Sequence, residues 1–427
     1  MKTFPKEIVT LEKIVGGGQA LGTLSDGQKI FVWGGLPEEK VEVQITKKKS
    51  KMAEGVVTDV LKSSPERVKP KDPESYLSTS PWQIMSDEAE QLHKASLINE
   101  AFELHHVTLP GKTEVYSNDV TYNYRNKVEF SWYGNDDGLH LAFYRRGTHG
   151  KVIVDGTSLA REEINTLARE VRNLLSSKKI EARQLKTLLI RCDQHGNAVW
   201  QLYVKDVDFD AISENEAAAL SAQGGEVIYS DPKSPASRIT KRLKSFGNPV
   251  LSDTILSVPF RYATEGFFQV NVPVYERALK DMEQWVNEGT AVIDFYSGVG
   301  TIGLTIGGDH VTLVEVCEDA VREMKANIQA LHKTATAVLA PSEKALEYIT
   351  SDATVILDPP RAGLHDAVTE RLLETLPPRI IYLSCNPVTH ARDVAKLLER
   401  YEIVSHEGYN FFPRTPHIEH LAVLERK

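Results

Sequence analysis

The first 60 residues alternate apolar and polar side chains in short runs that glycines separate. Such runs occupy residues 29–33, 40–45 and 55–60, and glycine clusters stand at 16–18 and 34–35. A period of two is typical of strands, and short strands joined by glycine turns predict a small OB-like β-barrel. Residues 63–73 are rich in proline and charge, as linkers are, so we predict a first domain over residues 1–66.

The middle of the chain mixes two periodicities. Residues 88–104 and 161–175 repeat their apolar positions with the helical period. Residues 120–128, 129–133, 139–144, 152–154, 187–191 and 198–204 alternate as strands do, between residues that favour turns. We therefore predict a mixed α+β domain over residues 67–255.

From residue 256 onwards the pattern becomes a regular succession of strands and helices. The apolar runs at 291–293, 311–314, 354–357 and 380–383 are typical of buried parallel strands, and residues 319–331 have helical periodicity. This succession predicts an α/β fold with a Rossmann-like, doubly wound sheet over residues 256–427. Ligands of such sheets bind at the carboxyl ends of the strands, so residues that follow each run are candidates for chemistry.

Composition and charge narrow the class of protein. The chain has 427 residues, of which 41% are hydrophobic and 26% charged, as in a globular protein of several domains. No membrane span or signal-peptide core is visible, so we expect a cytoplasmic protein. The net charge of −9 argues against a protein that coats nucleic acid indiscriminately. The local basic clusters at residues 47–51 and 233–244 fit a solvated surface and an RNA-facing surface equally well.

A glycine-rich segment follows the first buried run of the C-terminal domain. Gly298, Gly300 and Gly303 satisfy the G-x-G-x-x-G pattern, so NAD binding is one interpretation. Against it, Asp294 and three further residues stand between the apolar run and the first glycine. Glu315 ends the second run, where an acidic side chain accepts hydrogen bonds from the ribose hydroxyls of a nucleoside.

Three more reactive side chains stand beside the later apolar runs. Asp358 ends the third run and precedes two prolines, which stiffen the loop that holds its carboxylate. Cys385 follows the fourth run, where we expect an accessible thiol with a depressed pKa, whereas Cys192 and Cys317 are expected to be buried as small apolar residues. Glu419 precedes the last apolar run and is a candidate general base. No ligand set for a metal ion accompanies it.

Taken together, these motifs resemble those of the RNA uracil-C5 methyltransferase family. The resemblance implies that the C-terminal domain is a class I methyltransferase domain and that the barrel is a TRAM domain, which holds RNA. The matching segments, in family order, are Tyr124-Arg-Asn-Lys127, Phe268-Gln-Val-Asn271, Asp294-Phe-Tyr-Ser-Gly-Val-Gly-Thr301, Asp358-Pro-Pro-Arg-Ala-Gly363, Ser384-Cys-Asn-Pro387 and His417-Ile-Glu419.

The resemblance also assigns roles to residues of this chain. It implies that Cys385 is a covalent nucleophile that adds to C6 of the uracil and that Glu419 removes the proton from C5. For RNA it points to Arg125 and Lys127, and we add Phe268, or its neighbour Phe267, as the aromatic residue that receives the flipped base. The residues implied to bind S-adenosylmethionine are Gln269, Tyr296, Gly298, Thr301, Glu315 and Asp358.

One departure from the family changes the expected cofactors. Many members bind a [4Fe–4S] cluster through cysteines of the middle region, but this chain has no cysteine before Cys192. The corresponding stretch, residues 76–83, contains serines, which do not replace cluster thiolates. We therefore expect no iron–sulfur cluster and no other metal.

Two alternatives from other classes remain open at this point: an NAD-binding oxidoreductase, and an RNA-binding protein without catalysis. Cytosine-C5 transfer is a further possibility because it uses the same thiolate chemistry. Within the methyltransferase interpretation, the TRAM-like barrel favours 23S ribosomal RNA over transfer RNA as the substrate. We expect a monomer, since one chain contains every group that the mechanism needs.

Overall fold

The computed structural model describes residues 5–148 and 150–427, and this part of the chain forms two compact units. The first unit contains the described residues up to Glu90, with Val120–Leu251 and Pro413–Pro416. The second contains Gln91–Asp119, Ser252–Phe412 and His417–Lys427. The units interleave along the chain, whereas the sequence prediction places its boundaries at residues 66 and 255.

A closed five-stranded barrel opens the first unit. Its strands, in the spatial order β1-β2-β3-β5-β4, are β1 (Lys6–Ile14), β2 (Ala20–Thr23), β3 (Lys29–Trp33), β4 (Lys40–Lys48) and β5 (Met52–Lys62). Alternate residues of β4, namely Val41, Val43 and Ile45, are buried inside it, which is the pattern that predicted the strand. The predicted barrel is therefore confirmed.

A seven-stranded sheet forms the rest of the first unit. Two helices, α1 (Tyr76–Thr79) and α2 (Asp87–Leu104), and a short strand, β6 (Val115–Tyr116), precede it in the chain. The apolar face of the seven-stranded sheet packs against Ile164, Leu167 and Val171 of helix α3 (Glu162–Ser177). Its elements are β7 (Lys127–Asn135), β8 (Gly138–Tyr144), β9 (Lys151–Val154), α3 (Glu162–Ser177), β10 (Leu185–Cys192), β11 (Ala198–Val204), α4 (Glu214–Ala218), β12 (Gly224–Tyr229) and β13 (Lys241–Gly247).

The second unit is built on an eight-stranded sheet in the order β18-β17-β16-β19-β20-β22-β21-β6, beside the hairpin β14-β15. The strands from β18 to β20 are parallel, and β22 runs antiparallel to both of its neighbours. The doubly wound sheet is thus confirmed. Its elements are β14 (Val250–Ile255), β15 (Val258–Ala263), α5 (Val272–Glu283), β16 (Val292–Phe295), α6 (Thr301–Ile306), β17 (Val311–Glu315), α7 (Glu318–Ala330), β18 (Ala335–Leu339), β19 (Thr354–Leu357), α8 (Asp366–Thr375), β20 (Arg379–Ser384), α9 (Pro387–Leu397), β21 (Tyr401–Tyr409) and β22 (Glu419–Arg426).

One predicted strand is wrong. Residues 120–126 alternate in polarity but are irregular, and β7 begins only at Lys127. Asn123 has a φ of 54°, which interrupts an extended strand. Tyr124 is buried although it lies outside any sheet, and its hydroxyl donates to the Pro413 carbonyl at 3.0 Å.

Within the described ranges, no helix combines the length and the apolar character that crossing a membrane requires.

Candidate active site

A cavity of about 570 Å³ lies at the carboxyl ends of the parallel strands of the second unit. This is where ligands of doubly wound sheets bind, and the volume falls within the range of about 300–1,000 Å³ usual for small-molecule sites. The cavity brings together seven of the residues predicted from the sequence: Gln269, Tyr296, Gly298, Glu315, Asp358, Cys385 and Glu419.

The loop after β16 approaches the cavity through an unusual backbone. Tyr296 has a φ of 63°, which costs energy for a residue with a side chain, and its hydroxyl donates to Ser342 Oγ at 2.9 Å. Behind the loop, the buried carboxylate of Asp294 accepts a hydrogen bond of 2.9 Å from the Gly303 N–H. Burial raises the pKa of Asp294 to about 8. Asp294 does not line the cavity, so its role is to hold the glycine-rich turn in shape.

Glu315 is fixed at the end of β17 by backbone donors. Its Oε2 accepts the Gly298 N–H at 3.0 Å, and its Oε1 accepts the N–H groups of Val316 and Cys317 at 2.9 and 2.7 Å. These bonds join the strand end to the glycine-rich loop and orient the carboxylate. Oε2 accepts only one of these bonds, so its second lone pair can still accept a ribose hydroxyl.

Two of the predicted residues in the second unit do not line the cavity. Thr301 begins α6, and its hydroxyl is hydrogen bonded to that of the buried Tyr275 at 2.9 Å. Phe268 is only 3% exposed and stacks on Tyr262 with ring centroids 4.0 Å apart, so its ring is not available to a base. Its neighbour Phe267 is 69% exposed and lines the cavity. The aromatic position in this segment that a base can reach is therefore residue 267.

The pairing of β20 with β22 brings Cys385 and Glu419 together. Ser384 is opposite His420 in this antiparallel ladder, so Cys385, one residue later, and Glu419, one residue earlier, lie at the same end of the two strands. Both side chains line the cavity. The sequence separation of 34 residues hides a proximity that only the strand register creates.

The acid–base state of the pair differs from the sequence expectation. Burial, reinforced by the charges of Glu419 and Asp358, raises the pKa of the Cys385 thiol to about 12, so the expected depression of that pKa is wrong. Burial also raises the pKa of Glu419 well above its usual range, with a further contribution from Asp358. Burial alone raises the pKa of Asp358 to about 7. The cavity therefore holds two carboxyl groups whose affinity for protons is increased.

Three further residues complete the wall beside this pair. Arg361 Nη2 lies 3.3 Å from His417 Nδ1, and the charge of Arg361 lowers the pKa of both Cys385 and Glu419. The ring of Phe412 meets His417 edge to face at 5.9 Å. No role was predicted from the sequence for Arg361, His417 or Phe412, although the first two stand inside the motifs that carry the family resemblance.

The remaining predicted residues lie elsewhere. Arg125 and Lys127 are half-buried at the start of β7, where Arg125 Nε donates to the Lys127 carbonyl at 3.5 Å. Cys192 is buried as expected, but Cys317 is exposed, because it lies ahead of α7 and not within the strand. In the described part of the chain, no group of three or more His, Cys, Asp or Glu side chains is arranged to hold a metal ion.

Each of the two basic clusters is paired in part with carboxylates of the first unit. Lys47 pairs with Glu54 at 3.1 Å, and Lys48 pairs with Asp26 at 2.8 Å. In the second cluster, Arg242 pairs with Glu226 and Lys244 pairs with Asp210. These ion pairs neutralise part of the positive charge of each cluster.

Comparisons with known proteins agree with this geometry. The model of the tRNA (Uracil-5-)-methyltransferase family matches residues 88–346 and 345–427, and that of the TRAM domain matches residues 8–58. An uncharacterized RNA methyltransferase of Fusobacterium nucleatum is 27% identical, over 98% of this chain and 95% of its own length. One from Lactobacillus johnsonii is 29% identical, and the match covers 98% of both chains.

A solved structure has the same fold over nearly the whole chain. It is the crystal structure of Pyrococcus abyssi tRNA (uracil-54, C5)-methyltransferase in complex with S-adenosyl-L-homocysteine. The TM-score is 0.80 at 22% identity, and the match covers 97% of this chain and 99% of that one. The fold predicted from the sequence, a methyltransferase-type α/β domain with a TRAM barrel, is confirmed.

Proposed function

The chain belongs to the tRNA (uracil-5-)-methyltransferase family, and from this premise we propose that it transfers a methyl group from S-adenosylmethionine to C5 of a uridine in RNA, with Cys385 as covalent nucleophile. The observation that carries the proposal is that Cys385, directly after β20, and Glu419, the first residue of β22, lie at the same end of two paired strands and line one cavity of the second unit. A glycine-rich nucleotide loop alone, as an oxidoreductase would use, does not account for this pair. A non-catalytic RNA-binding protein does not need it either.

The cavity fits the methyl donor. Its nucleoside side offers the carboxylate of Glu315 to ribose hydroxyls, and Val316, Ala340 and Pro341 supply apolar walls. Tyr296 and Asp358 line the same space. As the second substrate, S-adenosylmethionine supplies an electrophilic methyl group on a positively charged sulfur, which suits a cavity lined by several carboxyl groups.

Uracil C5 becomes nucleophilic only after a thiolate has added to C6. In the proposed reaction the Cys385 proton passes to Asp358, which lines the same cavity and holds the proton until the thiolate is released. The sulfur then forms a bond to C6, and the electron pair of the resulting enolate forms the bond from C5 to the methyl carbon as the methyl–sulfur bond breaks. Glu419 takes the C5 proton, the C6–sulfur bond breaks as the C5–C6 double bond re-forms, and Asp358 returns its proton to the thiolate. Glu419 then releases the C5 proton to solvent as the products leave.

The raised pKa of Glu419 suits this role. A carboxylate of higher proton affinity is a stronger base, and burial prevents water from competing for the C5 proton. Cys385, by contrast, is a thiol in the resting enzyme, so addition requires a substrate in place. This arrangement protects the nucleophile from reaction with other electrophiles.

For the RNA we propose 23S ribosomal RNA, with transfer RNA as the alternative outcome of the test. The support for ribosomal RNA is the TRAM barrel. We further propose that the enzyme acts as a monomer, because one cavity of a single chain holds both the nucleophile and the base that the proposed reaction needs.

The test uses unmodified 23S ribosomal RNA and transfer RNA transcripts with labelled S-adenosylmethionine, and identifies the methylated nucleoside. We expect 5-methyluridine from the native protein and none from Cys385→Ala. RNA carrying 5-fluorouridine should remain covalently bound, because the fluorine at C5 cannot leave as a proton does. Methyl transfer that survives in Cys385→Ala would refute the covalent mechanism, and 5-methylcytidine as product would refute the uridine assignment.

A further inference from the structure

A buried lysine lies beneath the segment that carries Phe412. Lys94, on α2, is fully buried. Among its contacts, Nζ donates to Asn410 Oδ1 at 2.5 Å and to the Phe412 carbonyl at 3.2 Å. All three residues belong to the second unit. The ammonium group therefore joins a helix to the main chain of a residue that lines the catalytic cavity.

Packing alone does not explain a lysine at this position. Burial of an ammonium group costs free energy because it loses its hydration, and an apolar side chain of similar volume avoids this cost. Nearby positions of the same helix, Ile98, Ala101 and Phe102, are apolar and belong to the core of the unit. A charged group in such surroundings indicates that its hydrogen bonds have a purpose besides stability.

The segment that receives these bonds is otherwise held on both sides. The Asn410 N–H donates to the Tyr116 carbonyl at 2.8 Å, and the buried ring of Phe411 packs edge to face on Tyr275. The half-buried Phe412 follows, with its ring against His417 in the cavity wall. The Phe412 carbonyl is the point at which Lys94 restrains the residue that faces the substrate.

We propose that Lys94 is a positioning residue for methyl transfer: its bonds to Asn410 and to the Phe412 carbonyl hold the Phe412 ring as a fixed wall of the cavity that receives the target base. The inference rests on the proposed function, which it deepens. A fixed wall limits the poses of the uracil ring, so that C6 meets the Cys385 sulfur more often. A displacement of about 1 Å in such a wall can lower the rate of the chemical step up to about 100-fold.

The test compares Lys94→Met with a matched control, Lys186→Met. Met retains the length of the side chain and removes the ammonium group. Lys186 also donates to hydroxyl and carbonyl oxygens, those of Ser230, Asp231 and Ser234, but it lies on β10 of the first unit and not in the cavity. Lys186 is only partly buried, whereas Lys94 is fully buried, so the unfolding midpoints of both variants are measured beside kcat, and Lys186→Met reports the loss of a hydrogen-bonded ammonium group outside the cavity.

We expect kcat to fall about 10- to 100-fold in Lys94→Met, while the KM for S-adenosylmethionine stays within about twofold and Lys186→Met keeps its kcat. Asn410→Ala removes one of the acceptors, and its effect on kcat should not add to that of Lys94→Met, because both variants break the same bond. Equal losses of kcat in the two lysine variants, or fully additive effects of Lys94→Met and Asn410→Ala, would overturn the proposal. Should Lys94→Met fail to fold, Asn410→Ala and Asn410→Ser provide the comparison with Lys186→Met.

A second measurement does not depend on activity. Amide hydrogen exchange in the peptide that spans residues 408–418 should become faster in Lys94→Met and remain unchanged in Lys186→Met. Unchanged exchange in Lys94→Met would show that the Lys94 bonds do not hold the Phe412 segment, and this result does not require a known RNA substrate. Faster exchange with a native kcat leaves the proposed function intact and refutes the positioning role.

Discussion

Replacement of Glu419 by glutamine should stop the reaction after the methyl group has been transferred. Gln has nearly the same shape as Glu but cannot accept the C5 proton. General base catalysis contributes about 100- to 10,000-fold to a rate, which corresponds to about 3–5 kcal/mol of activation free energy. Glu419 is only 4% exposed, so water cannot readily replace it, and we expect a loss near the upper end of that range.

The same substitution should not slow the earlier addition step. The negative charge of Glu419 is one of the causes that raise the pKa of Cys385, so its removal favours the thiolate. Addition and methylation continue while elimination is blocked. Glu419→Gln should therefore accumulate a methylated RNA that is covalently bound to Cys385.

The assay separates labelled RNA from the protein–RNA adduct on a denaturing gel, in the presence of S-adenosylmethionine. The native protein should show little adduct and Glu419→Gln a nearly stoichiometric one, with the double variant Cys385→Ala/Glu419→Gln as the blank. A Glu419→Gln variant that turns over at the native rate would show that another group is the base. Complete loss of activity without any adduct would place the role of Glu419 before the addition step.

Three further outcomes follow from the structure. The kcat should rise with pH as Glu419 ionises. Because the charge of Arg361 lowers the pKa of Glu419, Arg361→Met should move this rise to higher pH. A pH profile of kcat that does not move in Arg361→Met would contradict this coupling. Gly225→Ala should destabilise the protein by at least about 1–3 kcal/mol in urea unfolding, because a Cβ there would lie 2.1 Å from the Trp200 ring, and an unchanged midpoint would refute the clash. Asp72→Ala should lower the free energy of unfolding by about 2–3 kcal/mol, because buried donors lose their acceptor, whereas Asp72→Asn, measured in parallel, should lose less.

Strands in which apolar and polar residues alternate regularly could be predicted from the sequence. Residues 29–33, 198–204 and 354–357 were predicted as strands with the bounds that the structure has. The strand prediction for residues 120–126 was wrong because their alternation comes from turns and from the burial of Tyr124. The Tyr124 hydroxyl donates to the carbonyl of Pro413, which is distant in sequence. Polarity patterns report burial, and a buried residue outside a sheet gives the same signal as one inside it.

The sequence was sufficient to predict which residues meet in the site, but not the protonation state of the Cys385 thiol. Residues that follow buried parallel strands must meet at one edge of the sheet, so Glu315, Asp358 and Cys385 could be grouped from the sequence. The protonation state of Cys385 could not, because it depends on charges that the strand register brings close and on the depth of burial. Phe268 shows the same limit, since only the folded chain decides which of two adjacent aromatic rings faces the cavity.

Residues 76–83, which contain no cysteine, belong to a polar network that braces the chain. Gln83 is fully buried, and its amide donates to Asp72 Oδ2 and Ser80 Oγ at 3.0 and 2.7 Å. Asp72 also accepts the N–H and hydroxyl of Ser158, so the network ties this stretch to the loop before α3. The Trp82 Nε1–H donates to the Gly18 carbonyl at 3.0 Å and ties it to the barrel. Hydrogen bonds with fixed partners thus join three segments that are distant in sequence, and they are made by amide, carboxylate, hydroxyl and indole side chains together with a main-chain N–H and a main-chain carbonyl.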